Sequence, residues 1–491
     1  MSEDISSPFY SKLSKIFYFI YILFFLFNFL GLSQLNILYG AFLALFAIMI
    51  FYLKPAEVLP YFFPFAMIEG QGRVLWAYNP VARLVFDVFL LIVAFKAFYA
   101  NKKVIDTKSV PYYIYILITL HFAWYGVQLF NPNAISLYAV VTALKIYIVP
   151  FILFFSFLTN DGLSNEKNLD KLYHLIRLTL FLASTLAIFQ FFQGDQFIIA
   201  IHPYYKNILK DAFTGLLYRP FSSTHLPGGY AVYMALFLPL LFIKTKVKKI
   251  DLLINLTIML TCLYAMFLSQ VRSSLLKGLM VIAIINIFLY LRGDRKLKKL
   301  MYLFGVSIVG IGIAFYGNIG NLFAGEMFET AIKRFVSITN LGEISSSREG
   351  PQKAISFILH HLSQSPLGLG PGRTGGVSNL HVGTILKDPI YNLGNSWAWD
   401  NLYISLVIDF GIGMIFYLTT IIIIPIKLIN FAIRRFFSNS PELPLILVSA
   451  ATTFVIILGN WGGILLPYNP ESFCFWYYSA LGFKYASNRS D

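Results

Sequence analysis

Four arginines, Arg219, Arg272, Arg348 and Arg373, stand in or beside the polar stretches that separate long apolar runs. A guanidinium keeps its charge at any relevant pH and offers a planar fork of donors that matches phosphate oxygens in pairs. At the end of an apolar run such a group either snorkels to lipid phosphates or holds an anionic headgroup, pyrophosphate above all. Arg272 sits in the turn VRSS at 271–274, with almost no loop to hold it in bulk water. Lys145 lies about two turns inside the apolar run 137–158, where an ionisable side chain lines a cavity or closes a structural ion pair.

Asp400 and Asn401 open the apolar run that begins at 402, and Asp409 lies about two and a half turns deeper. Asp400 has two readings: it caps the helix, or it takes a proton from a sugar hydroxyl at an arginine-rich mouth. Asp409 reads as a buried structural partner of Lys145 or of an arginine. Of the seven histidines, His202, His225, His360, His361 and His381 fall in polar segments, and no HExxH or comparable ligand spacing occurs. His360 and His361 are adjacent, so on a helix they point about 100° apart and do not chelate together. The two cysteines, Cys262 and Cys474, lie inside apolar stretches and supply neither a disulfide framework nor a metal site. No metal and no cofactor is expected.

The elements that must position these residues are membrane helices. Apolar residues make up 58% of the 491, charged residues only 12%, a balance no soluble core absorbs. Runs long enough to cross about 30 Å of hydrocarbon occur at 16–32, 35–53, 111–130, 137–158, 172–193, 228–243, 250–269, 273–291, 299–317, 402–426 and 443–460. Three shorter or charge-bearing runs, 56–70, 82–98 and 471–485, bring the count to about fourteen. With both termini cytoplasmic, the Lys/Arg clusters at 54, 102–108, 167–171, 244–249, 292–299, 427–435 and 489 all fall inside, so the net charge of +15 is topological and nucleic acid is not an expected partner. The expected fold class is therefore all-α and polytopic. The chain divides into N-terminal membrane helices over 1–317, with a small external loop at 194–227, a large external loop at 318–398, and C-terminal membrane helices over 399–491. Within the large loop, the serines at 345–347 and the apolar spacing of Ala354, Ile355, Ile358, Leu359 and Leu362 predict a helix lying on the membrane surface, closed by Pro366 and Gly368. The glycine-rich GLGPGRTGG at 368–376 follows that helix and lacks the spacing of a phosphate-binding Walker loop.

Over its C-terminal half the sequence resembles the superfamily of bacterial O-antigen ligases and Wzy-type O-antigen or exopolysaccharide polymerases. The resemblance is carried, in order, by RPFSSTHLPGGYAVYMALFLPL at 219–240, VRSS at 271–274, SREGPQKAISFILHHLSQSPLGLGPGR at 347–373 and DNLYISLVIDFGIG at 400–413. Val271 replaces the family's usual serine, and Lys145 occupies a place often filled by arginine. Ligases of this superfamily usually carry His-Asn or His-Ser where this chain has Asp400-Asn401, whereas polymerases frequently read Asp-Asn, so the polymerase branch is favoured.

The resemblance implies a GT-C-like membrane glycosyltransferase in the bacterial inner membrane, with its active site on the periplasmic face. It would join undecaprenyl-pyrophosphate-linked repeat units, donor to acceptor, among membrane lipids and alongside a chain-length regulator. Arg219 and Arg272 would hold pyrophosphate and Asp400 would be the base. Arg348, Arg373, Lys145, Asn401 and His225 would bind substrate, and Trp397, Trp399 and Tyr391 would stack on sugar faces or form an interfacial belt. Two alternatives remain in view: an O-antigen ligase that transfers glycan to another acceptor, and a flippase for the lipid-linked oligosaccharide.

Overall fold

A computed structural model describes residues 7–77, 79–100, 110–214, 217–244, 248–292, 351–374, 401–436, 440, 442–460, 466 and 471–487. The expected run 299–317, the serines 345–347, Arg348, His381, Tyr391, Trp397, Trp399 and Asp400 lie outside the described residues.

Along the chain the helices are α1 (Ser7–Phe29), α2 (Leu35–Tyr52), α3 (Pro55–Val58), α4 (Phe62–Leu75), α5 (Pro80–Ala100), α6 (Tyr112–Gln128), α7 (Leu137–Tyr147), α8 (Val149–Thr159) and α9 (Glu166–Gln193). There follow α10 (Asp195–Ile201), α11 (Tyr230–Phe237), α12 (Lys249–Leu268), α13 (Arg272–Leu291), α14 (Pro351–Gln364), α15 (Leu402–Phe410), α16 (Met414–Arg434), α17 (Leu443–Gly459) and α18 (Glu471–Ser487). A two-residue antiparallel pairing, β1 (Phe213–Thr214) with β2 (Leu217–Tyr218), is the one sheet among the described residues. Among the described residues seven helical runs, taking α7–α8 and α15–α16 each as one, are long and apolar enough to cross a membrane. The protein is thus helical and membrane-embedded. The three weaker apolar runs read at 56–70, 82–98 and 471–485 are also helical, as α3–α4, α5 and α18.

The chain folds as two compact units, one from 1–102 with 160–335 and one from 103–159 with 336–491. The first is built on stacked aromatics: Phe17 packs on Tyr61 with ring centroids 4.6 Å apart, and Phe46 packs on Phe65 at 4.9 Å. The second is built around Trp476, whose ring lies 4.8 Å from that of Phe151. Rings of this size fill the space between helices where lipid offers no hydrophobic drive to associate.

Within each unit, cations close the helix ends, where backbone carbonyls lack partners and the dipole is negative. Lys96 Nζ donates to the carbonyls of Ile50, Phe51 and Leu53, each at 2.7 Å, at the end of α2. Arg435 donates to Tyr485 and Ala486 at the end of α18, at 2.8 and 2.7 Å. Arg177 pairs with Asp251 at 2.9 Å and Lys244 with Asp170 at 3.1 Å. Each pairing joins segments that the charge pattern assigns to one and the same side.

Candidate functional site

The first unit carries Arg219, Arg272 and His225. The β1–β2 pairing delivers the chain to Arg219, whose Nε donates to the Ser269 carbonyl and Nη2 to the Pro227 carbonyl, both at 2.9 Å. Ser269 ends α12, and three residues later Arg272 opens α13. The fold therefore brings the two arginines to one turn. That turn is tight: Gln270 has φ +57°, and Ser269 Oγ accepts from the Val271 amide at 3.0 Å. A cation in the first turn of a helix opposes the helix dipole. Two arginines at one turn beside the positive end of a helix are the groups an anion site would need.

Between Arg219 and α11, residues 220–229 fold inward rather than across the surface. Phe221, Ser222, Ser223 and Thr224 are buried, and Ser222 Oγ donates to the Ala183 carbonyl at 2.8 Å. Ala183 lies ten residues before the end of α9, so the loop enters about 15 Å along that helix. Non-helical backbone at membrane depth requires every polar group to find a protein partner. Here Gln190 binds the amides of Phe221 and Ser222 and the Ser222 carbonyl, Ser223 Oγ donates to the Met67 carbonyl at 2.9 Å, and the Gln71 amide donates to the Ser223 carbonyl at 3.2 Å. Gly228, at φ +73°, turns the chain back, and its amide closes on the Pro220 carbonyl at 2.8 Å. His225 lies against α4 so closely that a Cβ on Gly70 would stand 2.8 Å from its Nδ1. One residue before Gly70, the fully buried carboxylate of Glu69 pairs with Arg73.

The second unit carries Arg373, Asn401 and Lys145. After α14, residues 366–374 run antiparallel to α15 and clamp its end. The Leu369 amide donates to the Ile408 carbonyl at 2.7 Å, Gly370 to the Asp409 carbonyl at 3.1 Å, and Ile412 back to the Pro366 carbonyl at 2.8 Å. Gly368, Gly370, Gly372 and Gly411 all have positive φ, which only glycine adopts freely. At the centre is Asp409, fully buried, which accepts from Tyr147 Oη at 3.0 Å, the Gly372 amide at 3.2 Å, the Thr374 amide at 3.0 Å and Thr374 Oγ1 at 2.9 Å. The expectation of a cationic partner is thereby corrected. Two amides and two hydroxyls satisfy the carboxylate, and Lys145, two residues before Tyr147, is exposed because it lies on the opposite face of α7.

Arg373 Nη1 donates to the Asn133 carbonyl at 3.0 Å. Thr374 Oγ1 also lies 3.4 Å from the Ser405 carbonyl, so the strand of chain brings Arg373 alongside α15. Asn401 is the N-cap of that helix: its Oδ1 accepts from Tyr403 and Ile404 at 3.0 and 3.2 Å. The cap considered for Asp400 is thus supplied by its neighbour. On α14, His361 is buried where Leu359 is 63% exposed. Burial first, then the charges of Arg373 and His360, hold the His361 imidazole below its usual range.

Gln190, Thr374, Tyr147 and the Glu69–Arg73 pair were not singled out from the sequence. The signal for the last was present, an ionisable i,i+4 pair inside the apolar stretch around 62–75. Among the described residues no group of three or more His, Cys, Asp or Glu side chains is arranged to hold a metal ion. Compared with known proteins, the chain matches no family model and no curated relative.

Proposed function

We propose that the protein is a membrane glycosyltransferase that polymerises lipid-pyrophosphate-linked oligosaccharide repeat units at the external face of a bacterial inner membrane. The observation that carries this reading is the meeting of Arg219 and Arg272 at the Ser269 turn, beside the start of α13. Two guanidiniums, that of Arg219 tied to backbone carbonyls, and a helix N-terminus suit a pyrophosphate whose charge grows as it departs. The donor is already activated, so catalysis reduces to holding the leaving group, placing the acceptor and removing its proton. In this scheme the acceptor oxygen attacks the anomeric carbon, its proton passes to Asp400, the bond from carbon to pyrophosphate oxygen breaks, and undecaprenyl pyrophosphate leaves. Arg348, Arg373, Asn401, His225 and Lys145 would contact the glycan or its phosphates. The clamp on Asp409 supports this scheme by fixing the course of the chain past Arg373. A GT-C-like arrangement of about fourteen crossings accompanies the proposal.

Reconstituted protein supplied with lipid-pyrophosphate-linked repeats, without ATP or an ion gradient, should lengthen them into a ladder. Transport of single repeats across the membrane without elongation would make it a flippase. Transfer of glycan only to a different acceptor would make it a ligase. Cysteine labelling at positions 205 and 380 should report the external face, and at 246, 296 and 434 the cytoplasm.

A further inference from the structure

Gln190 is fully buried near the end of α9 and presents its whole amide to two consecutive residues of the inward loop. Its Oε1 accepts from the amides of Phe221 at 3.2 Å and Ser222 at 2.6 Å, and its Nε2 donates to the Ser222 carbonyl at 3.0 Å. Ser222 is thereby held at φ +52°, a conformation a non-glycine residue adopts only when its surroundings over-determine it. The ends of the loop are tied to each other: the Gly228 amide binds the Pro220 carbonyl, and Arg219 Nη2 binds the Pro227 carbonyl. A shift at 221–222 therefore carries to Arg219 at one end and His225 near the other.

We propose that Gln190 is a positioning residue for the anion site. By accepting and donating from one planar group, it fixes the strained loop tip and through it the placement of the Arg219 guanidinium. This rests on the function proposed above. A leucine of similar size offers neither contact. A carboxylate keeps the two accepted bonds but sets oxygen against the Ser222 carbonyl, and a protonated carboxyl restores the full pattern.

The test compares Gln190→Glu with the unaltered protein in proteoliposomes between about pH 5 and pH 8. The ionisable groups on the elements around α9 are Lys12, Lys15 and Tyr21 on α1, Glu69 and Arg73 on α4, Asp195 on α10, and Tyr230 and Tyr233 on α11. To these are added Tyr10 and Tyr18 on α1, Lys249, Asp251, Cys262 and Tyr264 on α12, Tyr61 and Asp161 in the turns 59–61 and 161–164, and His202, Arg219 and His225, with Glu166, Lys167, Asp170, Lys171, Tyr173, His174 and Arg177 on α9 itself. All are common to both proteins, so the ratio of the two profiles isolates the introduced carboxyl. Elongation by Gln190→Glu should approach that of the unaltered protein at the acid end and fall roughly tenfold or more below it at the alkaline end. In parallel, maleimide labelling of Leu226→Cys, at an exposed loop position, is measured in both backgrounds. The labelling ratio should rise with pH as the loop tip is released.

A labelling ratio and a transfer ratio that both vary with pH support the proposal. A flat labelling ratio overturns it, since Gln190 then does not hold the loop. A labelling ratio that varies while the transfer ratio stays flat overturns the positioning role. If the unaltered protein elongates nothing, the proposed function falls instead, and labelling still decides whether the clamp exists.

Discussion

Arg219 Nε and the Ser269 carbonyl oxygen, fifty residues apart in sequence, meet at 2.9 Å, and this single hydrogen bond places Arg219 at the turn from which Arg272 opens α13. Arg219 thus has an anchoring duty to backbone as well as a charge, and Arg272 stands at a helix start. The two substitutions test the pair.

Arg219→Ala removes the bonds to Ser269 and Pro227, and leaving a buried acceptor without its charged donor costs about 1–3 kcal/mol. Both melting temperature and elongation should fall, with lysine restoring only part because it lacks the fork. Arg272→Ala should cut elongation at least about tenfold in protein that still inserts. Unchanged elongation in both variants would make the pair lipid anchors.

Asp409→Asn turns one acceptor oxygen into a donor, which then faces either Tyr147 Oη and the Gly372 amide or the amide and hydroxyl of Thr374. Each buried donor so orphaned costs about 1–3 kcal/mol. Thermal-shift size-exclusion chromatography should show Asp409→Asn more destabilised than Thr374→Ser, which keeps both bonds. Equal melting of the two would show that Asp409 does not hold the clamp.

Glycines at the clamp and elsewhere should respond oppositely to alanine. At Gly411, with φ +55°, a Cβ would lie 2.2 Å from the Pro366 carbonyl oxygen, and the forced shift should cost about 1–3 kcal/mol. At Gly126, inside α6, a Cβ meets nothing within 4 Å, and alanine should be neutral or stabilise by about 0.5–1 kcal/mol. Melting curves of the two variants decide the matter.

Because Asn401 caps α15, Asn401→Ala should lower helix stability by about 1 kcal/mol, whereas Asn401→Asp keeps the cap. Asp400→Asn tests the base separately. If Asp400 takes the acceptor proton, this variant should insert normally and lose roughly 10²–10⁴-fold in rate. A fully active Asp400→Asn protein sinks that assignment and most of the preference for polymerase over ligase.

Burial, and then the neighbouring charges of Arg373 and His360, hold the His361 imidazole below its usual range. The unfolded imidazole, with a pKa of about 6.5, therefore takes up a proton before the folded one. The stability that this residue contributes is complete above about pH 6.5 and is lost progressively as pH falls from there through the lower folded-state value. Between about pH 7.5 and 5.5 the melting temperature of the native protein should drop more than that of His361→Gln. An equal drop would place the acid sensitivity elsewhere.

Composition and charge pattern determined that this chain is a helical membrane protein, because hydrocarbon admits only backbone that satisfies itself within a segment. The apolar runs mark helices along most of the described chain, including the weak ones around Pro55, Asp87 and Glu471. Local chemistry was equally legible where it depends on neighbours in sequence: Pro366 and Gly368 do end α14, and a polar residue does cap α15. Which residue caps it, Asn401 rather than Asp400, turned on a backbone angle that residue type alone leaves open, since both side chains cap equally well. The partners of Asp409 were illegible for a deeper reason. Any carboxylate at that depth needs compensation, but whether a cation, a hydroxyl or backbone amides provide it depends on which distant segment packs there. In this fold the segment is 366–374, and its glycines let two stretches of backbone touch. The inward course of 220–229 was likewise decided by tertiary structure, because a polar loop leaves the surface only when partners such as Gln190 and Met67 already stand where its amides and hydroxyls arrive.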